Sequence, residues 1–217
     1  AGADFTRNIM ITGYWPPTNN IMRRFSANPD QNPGGWIGQN WEGRGYNIYA
    51  FFPEFPGQSG PEWGRGQGDF EVDYQDTSSD WWRITSQVNP VAVMTLSRGN
   101  DNSSWEVESR NRNRTNWTAD YSAPFMPDNS PPDPTYAPNG FRSSSLPMQD
   151  IVDAVRAQTG LNAYIDRSVS AGGTFLSEYI GYHGLWYQSI HGQESDPNWC
   201  VAAGHIHVGI QTPEELA

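Results

Sequence analysis

Five short β-rich runs constrain the fold of this chain more than any other feature. Residues 8–12, 46–52, 90–96, 163–166 and 199–210 are near-continuously apolar rather than alternating. Unbroken apolar runs are the mark of strands covered on both faces, as in a mainly parallel sheet. Helical patterns lie between them. Residues 146–159 place Pro147 near a helix start, gather Ile151, Val152 and Val155 on one face, and stop at Gly160. Residues 174–190 repeat Phe175, Tyr179, Tyr182 and Trp186 at three- and four-residue spacing, and a shorter helix is predicted over 80–88. Strands alternating with helices predict an α/β fold, a three-layer α/β/α sandwich with a mainly parallel sheet.

The length of 217 residues suits a single domain spanning the chain. Leu, Ile, Val and Phe together supply only 37 of those residues, and the net charge is −11, a combination that would normally warn of disorder. Ten Trp and ten Tyr remove the warning, because such rings bury much apolar area each. Residues 28–80, rich in Gly, Trp, Asn and Pro, and residues 118–147, with seven Pro, read as long ordered loops carrying many of these rings. Core filling and a substrate-facing aromatic wall are the two uses open to them.

All 13 basic residues are Arg and none is Lys. With 24 acidic side chains and no basic run, the chain should be repelled by nucleic acid and by anionic membranes. No apolar run is long enough to span a bilayer. The first residues, Ala1-Gly2-Ala3, suit a processed, secreted or periplasmic product, with a cytoplasmic one as the alternative. Cys200 has no disulfide partner in the chain and lies in an apolar run, as a buried inert thiol would.

Three clusters could carry chemistry. Ser170-Ala171-Gly172-Gly173-Thr174-Phe175-Leu176-Ser177-Glu178 joins a strand to a helix and sets Ser177 in its first turn. There backbone N–H groups and the helix dipole favour developing negative charge, although a terminus-satisfying Ser reads the same way. In Gly204-His205-Ile206-His207-Val208-Gly209, alternation puts both His on one face. One His as general base is the stronger use, and a metal pair the weaker. In Trp105-Glu106-Val107-Glu108-Ser109-Arg110-Asn111-Arg112-Asn113, Glu106 and Glu108 share a face. Either an acid orienting a His or a solvated charged edge strand would account for them.

Taken in order, these segments and several others resemble the pyroglutamyl peptidase type I family of cysteine peptidases. Ile11-Thr12-Gly13-Tyr14-Trp15-Pro16-Pro17 resembles its opening Thr-Gly-Phe-x-Pro-Phe, and Glu108 to Asn113 keeps the ends of its Glu-Arg-Val-Ala-x-Asn. Pro127-Asp128-Asn129 and Ser145-Leu146-Pro147 resemble its Pro-Asp-Asn turn and Ser/Thr-Leu-Pro helix start. Gly173-Thr174-Phe175-Leu176-Ser177 resembles its nucleophile segment with Ser in place of Cys, and Ile206-His207-Val208 its Ile-His-Val strand. The likeness runs collinearly over most of the chain and is least over residues 28–80. It implies the family's open α/β/α sandwich, of the phosphorylase/hydrolase-like kind. It also implies Ser177 as nucleophile, His207 as base and Glu108 as the acid that orients it. Tyr14, Trp15, Gly172, Gly173, Phe175, Asn113 and His205 are the expected substrate-contacting residues.

Four departures separate this chain from that pattern. Ser replaces Cys and needs a base to take its proton. Pro17 stands where the family has a Phe that helps sandwich the pyroglutamyl ring, which weakens the case for that specificity. Gly209 replaces a Pro, and residues 28–80 carry surplus rings. The expectation is a cofactor-free serine hydrolase acting on an amide or peptide carbonyl, with an ester as the second class. Its substrate would be a small molecule or peptide, neutral or cationic, with an aromatic ring or sugar to stack on. The alternatives are a binding protein without catalysis, and a cysteine enzyme of this kind whose nucleophile has been changed to Ser. Last comes a metal-dependent hydrolase using His205 and His207.

Overall fold

The computed structural model describes residues 7–57, 63–99, 103–168 and 172–209. The chain runs through β1 (Asn8–Thr12), α1 (Pro16–Met22), β2 (Asn47–Phe51), β3 (Pro53–Glu54), β4 (Gln67–Gly68) and α2 (Tyr74–Val88). It continues through β5 (Ala92–Arg98), β6 (Ser104–Glu108), β7 (Arg110–Arg112), β8 (Phe141–Ser143), α3 (Met148–Thr159), β9 (Asn162–Asp166), α4 (Leu176–Ile190) and β10 (Ala202–Val208). Six strands form the central sheet in the order β2-β1-β5-β10-β6-β9. The first four are mutually parallel, β6 runs antiparallel to β10, and β9 is parallel to β6. The sheet is therefore mainly parallel, with helices on both sides.

Alternation along each strand divides the core in two. Met10, Val93 and Ala203 turn towards α2 and α4, where they meet Trp81, Ile84, Leu176, Ile180 and Leu185. Ile11, Leu96, Val107 and Ile206 turn the other way, towards Met22 of α1 and Val152 of α3. Each sheet face thus has its own apolar layer, which is why the strands read as continuous runs.

The five predicted strands all form, within two or three residues at each end, although Ile210 lies outside the described residues. One expectation needs correction, one helix is added, and one open alternative is decided. The helix predicted over 80–88 begins at Tyr74, because Asp73 caps it by accepting from the Asp76 N–H at 2.9 Å, so the loop region ends sooner than residue 80. Helix α1 was not foreseen; its seven residues open on Pro16-Pro17, a start that fixes φ without losing a needed donor. Residues 104–108 are no solvated edge strand. They lie between β10 and β9, with Glu106 5% and Glu108 0% exposed.

Core filling accounts for many of the rings. Trp81, Tyr74, Tyr182, Phe52 and Phe70 are among the largest fully buried side chains. Tyr74 meets Tyr179 edge-on at 5.0 Å and Trp117 at 5.7 Å, a packing that suits the ring quadrupoles. Cys200 is buried, and its apolar setting pushes the thiol up to about 12. Among the described residues no helix is long and apolar enough to cross a membrane.

Candidate active site

The sheet has a polar end on its α4 side. Beyond Val93 and Ala203, the residues turned to that face are Thr95 and Ser97 on β5 and His205 and His207 on β10. Glu106 and Glu108 on antiparallel β6 lie opposite His207 and His205 respectively. This is the carboxyl end of the parallel strands, where open α/β sheets hold their ligands.

His207 is brought together with the acids. Its Nδ1 lies within ion-pair range of Glu108 Oε1, at 3.4 Å, and of Glu106 Oε2, at 3.5 Å, while Nε2 has neither an ion-pair nor a hydrogen-bond partner among the described residues; neither nitrogen makes a well-formed hydrogen bond. Glu108 is fixed in turn by the Asn111 amide. Burial works to lower the His207 pKa, but Glu108, Glu106 and Glu178 outweigh it, and the net direction is up. Burial also raises the Glu108 carboxyl, to about 8, against the pull of His207. Both directions favour retention of a proton by the pair. Gly99 crosses this spot closely, since a Cβ there would come within 3.2 Å of His207 Cβ and 3.3 Å of Glu106 Oε1.

Ser177 is the second residue of α4, and Phe175 before the helix gives no side-chain cap. Its Oγ donates to the Gly172 carbonyl at 3.2 Å and not to His207. Ser177 lines a cleft of about 310 Å³ with Tyr14, Trp15, Trp63, Tyr121 and Phe175. The Tyr14 hydroxyl is tied to Thr77 Oγ1 at 2.7 Å, so this residue offers its ring. Arg98 lies 5.7 Å from the Trp15 ring and lines the same cleft. Gly172 is buried beneath Glu178, whose carboxylate leaves no room for a Cβ, and Gly173 takes a φ of 69° that favours glycine. Ser170 and Ala171 of the predicted turn lie outside the described residues.

Two expected substrate contacts are otherwise engaged. Asn113 is fully buried and staples the long loop: its amide donates to the Asp133 carbonyl at 2.8 Å and its oxygen accepts from the Asp133 N–H at 3.1 Å. Nothing of it is left to meet a ligand. His205 is also fully buried, with Nδ1 2.7 Å from Thr95 Oγ1 and Nε2 2.8 Å from Ser97 Oγ. Both nitrogens are committed to hydroxyls, which leaves no lone pair to join His207 on a metal. Among the described residues no group of three or more His, Cys, Asp or Glu is arranged to hold one.

Glu178 and Ser97 also lie at this polar end, with no motif to mark them. Glu178 is buried, accepts from the Arg112 N–H and lies 3.7 Å from Arg114 Nε. It is a third acid beside His207, foreshadowed only by standing next to Ser177 in the first turn of α4. Ser97 was visible as the second polar residue, two after Thr95, at the end of an apolar strand.

No protein-family model matches the sequence, and no curated protein does. Solved structures do match. The pyrrolidone carboxyl peptidase of Thermococcus litoralis superposes with a TM-score of 0.64 at 20% identity, over 94% of this chain and 77% of that one. That of Pyrococcus furiosus, determined with its Cys-free mutant, gives 0.64 at 18% identity over 93% and 80%. A substituted form of the Pyrococcus enzyme gives 0.65 at 16% over 96% and 91%. The fold is thus the α/β/α sandwich of pyrrolidone carboxyl peptidases, as the sequence resemblance implies.

Proposed function

We propose that this protein is a peptidase- or amidase-type hydrolase in which Ser177 attacks the carbonyl, His207 takes its proton and Glu108 orients His207. The observation that carries the reading is His207 itself. One ring nitrogen faces two buried carboxylates, and the other is buried without a partner at the end of the sheet where Ser177 opens α4. A buried imidazole held by acids on one side and vacant on the other is poised for proton transfer. The structural neighbours, named as peptidases, support a peptide or amide bond as substrate.

In the reaction, Ser177 Oγ exchanges the Gly172 carbonyl for His207 Nε2 and adds to the substrate carbonyl as its proton passes to that nitrogen. The oxyanion is met by backbone N–H groups of the Gly172–Ser177 turn and by the positive end of α4. His207 then protonates the departing amine, leaving an acyl-Ser177 ester that water cleaves by the same route in reverse. The aromatic cleft wall takes an apolar or ring-bearing acyl group.

A binding role without turnover is favoured by one observation, the bond from Ser177 to Gly172 rather than to His207. Labelling with a fluorophosphonate separates the two. The expected adduct is on Ser177, lost in His207→Ala, with kcat/KM on a cleaved substrate falling about 10³-fold. No adduct and no turnover across amide and ester panels would overturn the hydrolase. Activity appearing only in Ser177→Cys would leave the natural chain a binder.

A further inference from the structure

An imidazole–hydroxyl chain ends at the cleft that Ser177 lines. Thr95, His205 and Ser97 lie on adjacent strands β5 and β10, with Thr95 paired in register to His205. The ring bridges the two hydroxyls, at 2.7 Å from Thr95 and 2.8 Å from Ser97, and Ser97 is a lining residue of the cleft that Ser177 shares. Burial drives the His205 pKa well below its usual value, and the neighbouring His207 pushes the same way, so the ring is neutral. A neutral imidazole has one donor and one acceptor. Thr95 Oγ1 also lies 3.4 Å from the Gly204 carbonyl, which can take its proton. In the tautomer that keeps this Thr95 bond, His205 Nδ1–H donates to Thr95 and Nε2 accepts from the Ser97 hydroxyl. The proton of Ser97 is spent inward, and its lone pairs are what it presents to the cleft.

We infer that Ser97 is a specificity-determining residue, a hydrogen-bond acceptor that reads an N–H on the acyl side of the substrate, with His205 and Thr95 as positioning residues that hold its hydroxyl in that sense. The inference rests on the hydrolase reading for its substrate and assigns the class: acylated amino acids or peptides that keep a donor N–H beside the scissile carbonyl. An aromatic side chain on that residue has Tyr14, Trp15 and Phe175 to pack against. His205 takes no part as a base, because a buried ring without a carboxylate partner has nothing to stabilise its charged form.

The probes are the p-nitrophenyl esters of N-acetylphenylalanine and of its N-methyl counterpart, which differ in that one donor. The wild-type protein should favour the N–H ester by about tenfold in kcat/KM. Ser97→Ala and His205→Phe should bring the ratio towards one, and Ser97→Thr, which keeps the hydroxyl, should restore it. The two corresponding amides, titrated against tryptophan fluorescence, give the same ratio in Kd without any turnover. A preserved binding ratio with no ester hydrolysis would sink the hydrolase and keep Ser97 as the acceptor. Equal behaviour of the two probes, binding of neither, or a fluorophosphonate adduct on Ser97 would overturn the assignment.

Discussion

On the proposed mechanism, two carboxylates and one imidazole nitrogen at the polar end of the sheet decide where in pH the protein works. For His207 to take a proton from Ser177 it must first lose its own. Burial alone would make that easy, but Glu108 and Glu106 hold the proton in place and raise the pKa above the ordinary value. The acid limb of a kcat/KM profile is therefore expected above pH 6.5, with activity rising towards the alkaline side. Glu108→Gln removes the acid that contributes most to holding the proton, so the limb should move down in pH while the plateau rate falls. A limb below 6.5 in the wild-type protein, or one that stays put in Glu108→Gln, would remove His207 from the base position.

At the scale of elements, α4 covers the polar end, and Gly181 lets it lie close. A Cβ on Gly181 would come within 2.8 Å of Asn111 Nδ2 and 3.0 Å of its Cγ. Asn111 in turn holds Glu108 and lies 3.5 Å from Glu178. Gly181→Ala should force helix and strand apart, at a cost of roughly 1–3 kcal/mol, or about 2–12 °C in Tm for a chain of this size. Calorimetry gives the loss, and the pH limb should shift with it as Glu108 loses its anchor; an unchanged Tm would show that α4 floats free of β7. The same elements show what a sequence discloses. Strands with apolar residues on both faces are legible because burial on both faces leaves no polar alternation, and helices with a Gly stop are legible because capping is local. Strand β6 misleads: two acids followed by alternate Arg residues look solvated, yet both acids are met by His207 from a strand about a hundred residues later. Pairing of that kind depends on register between distant segments, which no local pattern encodes. For the same reason His205 and His207, alike in sequence, take opposite protonation behaviour from the strands beside them.

Over the whole molecule, 24 acids against 13 Arg leave an excess of negative charge that must be carried at the surface. Several Arg are taken up locally, as in Arg83 with Asp69 and Asp80 and Arg142 with Asp133. Exposed pairs such as Arg44 with Glu42 add little. What remains is long-range repulsion, and added salt screens it over a Debye length of about 10 Å at 0.1 M. Tm should rise between low salt and roughly 0.3 M NaCl, since the screened repulsion is the larger effect. The same field acts on ligands. A cationic peptide should be drawn to the cleft at low salt and lose kcat/KM as salt rises, while a neutral one of equal length should hold its rate. Stability and rate thus give separate readings of one charge distribution. A Tm that falls with salt would mean that the Arg–carboxylate pairs outweigh the excess charge. A cationic substrate indifferent to salt would mean that the cleft is shielded from it, with Arg98 at the wall as the first group to test by Arg98→Gln.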